Sequence, residues 1–355
     1  MNLEKRIEAF TQLGAIIGQY LSEEQVDSQD TRTAFLHQQV QKAWQENPWF
    51  TRGHILEALR SIAALLNRAH LEQWILQYPP LKQDPDPLTI GVVNAGNIPL
   101  VGFHDMLCVL MSGHIYYGKL SSKDKHLPRA LASILKETEP ELQDRIILEE
   151  NQLKHFDAII ATGSNNTARY FHYYFKPYPH IIRKNRNAVA VLTGNESDKE
   201  LENLAADALL YFGLGCRNIS KLYIPQNADI TRILDAFSKY EKLLDNPKYA
   251  NNYDYHKSVF IINQVPHYDT GFLLLRENTQ IASPISTLHY ERYNNIARVK
   301  KNIEAQQQHI QCVVSHADEF AGAIPFGQAQ HPNLWDYADG ADTLEFLLSL
   351  NSKLT

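Results

Sequence analysis

Cys216 sits where a thiol could do covalent chemistry: in GLGCRN, residues 213–218, between an apolar helix-like run and the strand-like KLYIP, with Arg217 beside it. The thiolate is the nucleophilic form of cysteine, and a neighbouring cation favours it. The competing reading is a small apolar filler, the commoner role of a lone cysteine. Three strand-to-helix junctions could supply further groups. GVVNAGNIPLVGFHDML leaves Asn97 and its neighbours at the carboxyl end of a strand, where open α/β folds bind ligands, and its Pro99 suits a first helical turn; a plain Asn-containing turn is the alternative. HIYYGKLSSKD ends a strand in Lys119, followed by Ser121 and Ser122, a cation and two hydroxyls fit for a ribose or phosphate, or simply a solvated turn. IIATGSNNTARYF places Gly163 and Ser164 before a helix, where backbone N–H groups and the helix dipole favour a phosphate, although an ordinary Ser cap looks the same. It is not the GxGxxG fingerprint.

These residues need elements to hold them. Residues 3 to 76 show helical periodicity, as in AFLHQQVQKAWQ and ILEALRSIAALLNRAHLEQWIL, and QYPPLKQDPDPL then breaks the pattern with Pro and Asp. From Leu88 the rhythm changes to short apolar runs separated by helices: LTIGVV, HIYYGKL, RIILEE, DAIIAT and NAVAVL, which indicate βαβ units and a parallel sheet. A second block supplies KLYIP, SVFIINQ, GFLLLRE, ISTLHY and IQCVVSH, with helices in DITRILDAFSKYEKLL and NNIARVKKNIEAQQQ. The fold class is therefore α/β: a helical region over 1–80, one α/β unit over 88–205, a second over 206–325 and a C-terminal segment over 326–355.

Composition limits the function. A net charge of -6 with no dense basic run argues against a nucleic-acid surface. Three widely spaced cysteines, without CxxC spacing, fit a reducing compartment, and Cys108 and Cys312 lie inside apolar runs as core residues. The N-terminus lacks the pattern of a signal peptide, and the apolar window VGFHDMLCVLMSG is too short to span a bilayer, so a cytoplasmic protein is expected. No HExxH or similar spacing occurs, and no metal is expected.

Taken in order, NAGNIPL, YYGKLSS, ATGSNNTA, NAVAVL, GLGCRN and the late IPFG resemble the aldehyde dehydrogenase superfamily over about 88–348. The pattern is most similar to LuxC-like acyl-CoA reductases, through GCRNISKLYIP and IPFGQAQHPNLWDYADGADTLEFL. That resemblance implies an aldehyde dehydrogenase-like fold, in which 88–205 binds the dinucleotide, 206–325 is catalytic and the N-terminal helices pack on the cofactor domain. It implies that Cys216 is the acylated nucleophile and that Asn97 helps to bind the oxyanion. Lys119, Ser121 and Ser122 would face the adenosine ribose, and Gly163 with Ser164 the cofactor pyrophosphate. The activity implied is reduction of an acyl-CoA, with a fatty acyl group as in LuxC-like systems, to the aldehyde.

Several departures refine the expectation. Where oxidising members carry a water-activating glutamate, this chain has IIRKNRN, with Ile182 near that position, as a reductase that must protect its thioester requires. Ser122 replaces the acid common in NAD-preferring members, and with Lys119 and Lys123 nearby this favours NADPH. Gln280 stands loosely where a ribose-contacting glutamate is expected. His180 is a candidate general acid, and the aromatics of RYFHYYFKPYPH suit either an acyl tunnel or packing. An acyl-activating partner enzyme and a homo-oligomer are compatible with the family. Two rival readings stay open: a cysteine acyltransferase or thioesterase without a dinucleotide, and a catalytically silent interaction protein.

Overall fold

The computed structural model describes residues 1–22, 30–82 and 86–350, so part of the Pro- and Asp-rich connector lies outside the described residues. The chain forms two compact units, one of residues 1–184 with 333–355 and the other of 185–332.

The first unit opens with four helices, α1 (Leu3–Ser22), α2 (Thr31–Glu46), α3 (Arg52–Leu65) and α4 (Arg68–Ile75). Side chains start three of them: Asp30, Thr51 and Asn67 accept the backbone N–H groups of Arg32, His54 and His70, which have no partner within their helices. The apolar stripe of α1, including Phe10, Leu13 and Ile17, enters a core shared with the sheet that follows. Its buried Arg6 donates to the carbonyl of Met111, 3.0 Å away, at the end of α5 (Phe103–Met111). A cation there meets the negative end of a helix dipole.

The sheet of this unit contains β1 (Thr89–Val93), β2 (Ile115–Lys119), β3 (Ile146–Glu149), β4 (Ala158–Thr162) and β5 (His180–Arg183), connected through α5, α6 (His126–Thr138) and α7 (Asn165–Phe175). All pairs are parallel, in the order β3-β2-β1-β4-β5. The chain builds outward from β1 through β2 to β3, then restarts on the other side with β4. Neighbouring loops therefore part between β1 and β4 and leave a crevice at the strands' carboxyl ends. The helix after β1 starts later than its sequence suggests: Leu100 takes a left-handed conformation (φ 58°), and Pro99 lies in the turn before α5, whose first residue is Phe103.

Residues 333–350 return to this unit with α12 (Thr343–Leu348). Buried Arg183 joins Asp105 at 2.6 Å and the hydroxyl of Thr343 at 2.7 Å, and the Trp74 indole N–H donates to the Tyr337 hydroxyl at 2.7 Å.

The second unit contains β6 (Asn187–Val191), α8 (Asp198–Leu209), β7 (Ile219–Pro225), α9 (Ile230–Phe237), α10 (Pro247–Ile262), β8 (Tyr268–Asp269), β9 (Leu274–Glu277), β10 (Thr287–Tyr293), α11 (Ile296–Ala305) and β11 (Ile310–Val314). Its sheet runs β11-β6-β7-β10-β9-β8, parallel except for the pairing of β8 with β9. NAVAVL thus joins the second sheet as β6, so the units divide at 184 rather than at 205. SVFIINQ, expected as a strand, belongs to the end of α10 and the turn after it. Asn246 caps that helix and Pro247 starts it, and a four-residue apolar run cannot by itself distinguish a strand from a helix.

Candidate active site

Register brings six of the predicted residues to one edge of the first sheet. Val93 pairs with Lys119 on β2 and with Ala161 on β4, so the segments after the three strands emerge level with one another. Asn97, Ser121, Ser122, Gly163 and Ser164 follow these strands directly, and Lys119 ends β2. The first two loops are locked together. The Asn94 N–H donates to the Lys119 carbonyl at 3.1 Å, and its carboxamide donates to the Tyr116 hydroxyl at 2.8 Å. A Cβ at Gly96 would lie 2.3 Å from the Ser121 hydroxyl oxygen, an approach that only glycine permits.

Asp124 completes the lock, and nothing in its sequence context singles it out. It is buried, and its carboxylate accepts the N–H of Leu100 at 2.6 Å, fixing the Asn97 loop to the Ser121–Ser122 loop. Burial pushes its pKa up to about 7, against the pull of that hydrogen bond. The loop is also held from α2, where Glu46 pairs with Lys125 at 3.0 Å and Asn47 donates to the Lys123 carbonyl. Lys119 is half-buried and Lys123 exposed, and neither ammonium makes an ion pair among the described residues. Ser164 does cap α7, its hydroxyl accepting the Thr167 N–H at 3.2 Å. These groups suit a dinucleotide: uncommitted cations, hydroxyls and a helix start, ranged along the carboxyl ends of parallel strands.

Cys216 belongs to the second unit. It is half-buried in the turn between α8 and β7, not packed into hydrocarbon. Tyr211 and Phe212 precede it with φ of 55° and 58°, and Gly213 follows at 72°. The two non-glycine residues cost about 1 kcal/mol or more each in that conformation. Both side chains are buried, with the Phe212 ring 5.7 Å from that of Tyr249, and burial of one such ring offsets about 1.5–3 kcal/mol. The turn itself is held by buried Asn218. Its side chain accepts the Gly215 N–H at 2.8 Å and donates to the carbonyls of Leu210 at 2.8 Å and Asp207 at 3.0 Å.

The late Pro-Phe-Gly loop is tied to the same turn. Asp207 accepts the N–H groups of Gly327 at 2.6 Å and Ala329 at 3.0 Å, and Arg217 donates to the Ala329 carbonyl at 2.6 Å. Burial pushes the Asp207 carboxyl up to about 6, while the two N–H groups and Arg217 pull it down. Arg217, expected to act on the thiol, therefore also pins this loop and faces Asp207. Sequence reading missed Asp207, whose partners lie 120 and 122 residues away, and Asn218, whose partners lie within 11 residues but in a turn that no local spacing signals.

Other expectations change. His180 is the first residue of β5, at the amino end of a parallel strand and so at the opposite edge of the sheet from the six candidates. His104 is half-buried with its ring 2.8 Å from the Leu334 carbonyl, and desolvation lowers its pKa. Cys108 is fully buried, with burial raising its thiol pKa, whereas Cys312 is only half-buried against the second core. Tyr170, Tyr173 and Tyr174 of the aromatic run are exposed, so they form neither a core nor an enclosed tunnel. A cleft of about 380 Å³ lined by Thr193, Asn195, Pro225 and Arg232 lies at the carboxyl end of β7. Cys216 precedes that strand, so the cleft stands a strand length away, roughly 20 Å.

Solved structures place the fold among the aldehyde dehydrogenases. The chain matches an NAD+ complex of aldehyde dehydrogenase from Bacillus cereus with a TM-score of 0.64 at 12% identity, covering 90% of this chain and 73% of that one. It matches aldehyde dehydrogenase 21 from Physcomitrella patens, in complex with the product succinate, with a TM-score of 0.63 at 10% identity over 98% and 87%. Bifunctional proline utilization A matches with a TM-score of 0.64 at 14% identity over 90% of this chain, which spans only 36% of that protein. Comparison with curated proteins by sequence finds no significant match. The chain belongs to the acyl-CoA reductase (LuxC) family, whose sequence model matches residues 21–240, more than half of its length.

Proposed function

We propose that the chain reduces an acyl-CoA, with a fatty acyl group, to the aldehyde through a thioester on Cys216. The observation that carries this reading is the half-buried Cys216 turn, held in a strained conformation and pinned to the Pro-Phe-Gly loop, in a member of this family. The thiolate of Cys216 attacks the acyl carbonyl, the bond from that carbon to the CoA sulfur breaks, and CoA leaves as its thiol after taking up a proton. The Cys216 N–H stabilises the oxygen as charge develops, a contribution of about 3 kcal/mol for one such donor, and the family resemblance assigns the Asn97 carboxamide the same role. A reduced nicotinamide dinucleotide, bound by Lys119, Ser121, Ser122, Gly163 and Ser164, supplies the hydride that converts the thioester to the aldehyde. Lys119 and Lys123, which make no ion pair among the described residues, stand beside small, exposed Ser122 and favour NADPH because they attract a 2′-phosphate where an acidic side chain at Ser122 would repel it. The segment IIRKNRN around Ile182 contains no acidic residue where oxidising members carry their water-activating glutamate, which suits a thioester that must be kept from hydrolysis.

The test is to incubate wild type and Cys216→Ser with a radiolabelled acyl-CoA and then add NADPH. Label on wild type alone, discharged as aldehyde, is the expected result. Discharge as free acid points to a thioesterase, and labelling of both proteins removes Cys216 from the scheme.

A further inference from the structure

The loop after β9 is fixed from below by three buried side chains that the reaction scheme does not use. Ser220 donates to the carbonyl of Ile281 at 2.7 Å, Lys221 to that of Thr279 at 2.8 Å, and the His289 Nδ1–H to that of Gln280 at 3.0 Å. The three side chains hold three consecutive carbonyls, and Ser220, Lys221 and His289 are 6%, 0% and 2% exposed. Adjacent strand residues normally point to opposite faces. Here a β-bulge intervenes: Ile219 pairs with Ala188 and Lys221 with Val189, leaving Ser220 as the extra residue, so neighbours can reach one loop.

The ion pair within this arrangement adds little stability. The Lys221 ammonium is taken wholly out of water and pairs with Glu291 at 2.7 Å. Such a pair gains little over an apolar side chain of similar size, because desolvation consumes most of its attraction. Its effect is geometric. The loop backbone is held while the Thr279 and Gln280 side chains face solvent. Ser220, one anchor, is four residues of chain from Cys216, at most about 14 Å.

Resting on the reductase reading, we propose that Ser220, Lys221 and His289 are positioning residues that hold Thr279 and Gln280 to bind the pantetheine arm of the incoming acyl-CoA. A thioester that reaches Cys216 brings that arm with it, and the arm's two amides are neutral groups that both donate and accept hydrogen bonds. The exposed hydroxyl and carboxamide of the loop match them. A phosphate would call for cations, which Thr279 and Gln280 do not supply, and the ribose contact that the family resemblance suggests at Gln280 is the rival reading, told apart by NADPH affinity.

Lys221→Met removes the ammonium while keeping the length of the side chain. Intact-mass measurement of Cys216 acylation against decanoyl-CoA concentration is expected to show half-saturation moved up about tenfold. Alkylation of Cys216 by iodoacetamide, which has no pantetheine, should stay within twofold of wild type, a separation that a collapsed turn would not give. Ser220→Ala loses one hydrogen bond without touching the charge and should move half-saturation about threefold, which decides the matter if Lys221→Met does not fold. Unchanged half-saturation overturns the proposal, as does an equal loss of acylation and alkylation, or a shift that appears in NADPH affinity instead. If wild-type Cys216 is not acylated by decanoyl-CoA or by other acyl-CoA chain lengths, the reductase reading itself fails; if it is acylated and only the variants behave like wild type, the clamp alone fails.

Discussion

Replacing Asn218 by alanine takes away the side chain that shapes the nucleophile turn, and its cost follows from the geometry. The carboxamide accepts one hydrogen bond, from Gly215 at 2.8 Å, and its two hydrogens serve Leu210 at 2.8 Å and Asp207 at 3.0 Å; the Ala208 carbonyl, at 3.3 Å, shares them. Three buried bonds at about 1 kcal/mol net give a loss of about 3 kcal/mol, and the partners left without bonds push it higher. For a unit of this size that corresponds to a fall in Tm of roughly 6–12 °C. Asn218→Asp should be worse still, since a carboxylate would face carbonyl oxygens and donate to none. All four tryptophans, at 44, 49, 74 and 335, lie in the first unit, so their fluorescence serves as an internal control. Hydrogen exchange of residues 213–218 would report the second unit, circular dichroism during urea unfolding both units together, and intact mass the acylation of Cys216. We expect faster exchange in the turn and acylation at least tenfold slower. A destabilisation below about 1 kcal/mol with unchanged acylation would refute the reasoning.

Two further outcomes follow from the first unit. Asp124 has a folded pKa of about 7 against an ordinary value of 3.8, so the folded state holds its proton more tightly than the unfolded chain. Its contribution is complete below about pH 4 and is lost as pH rises through about 7, up to roughly 4 kcal/mol. Asp124→Asn should flatten that decline, measured as urea midpoints by tryptophan fluorescence at pH 5 and pH 8; an unchanged slope would contradict it. Ser122→Asp sets a carboxylate beside the site proposed for the 2′-phosphate, and at an effective dielectric near 20 the repulsion is enough to lower the NADPH-to-NADH preference about tenfold or more. Steady-state kinetics with both cofactors would read the change, and an unaltered ratio would remove Ser122 from the cofactor site.

The sequence alone determined the class of architecture and where chemistry could lie. Short apolar runs alternating with helices carry their own periodicity, and the turns after β1, β2 and β4 announce themselves by Asn, Gly, Ser and Lys at strand ends. Cys216 stood out for the same local reason. Tertiary structure decided what depends on partners far along the chain. Local periodicity cannot say which sheet a strand joins, so β6 and the return of residues 333–350 to the first unit became visible only in the folded chain. A run such as SVFIIN takes the state of the element it extends. Asp124, Asp207 and Asn218 look like ordinary polar residues until folding sets them against N–H and carbonyl groups elsewhere, because burial and hydrogen-bond geometry are properties of the packed chain, whereas periodicity belongs to the local one.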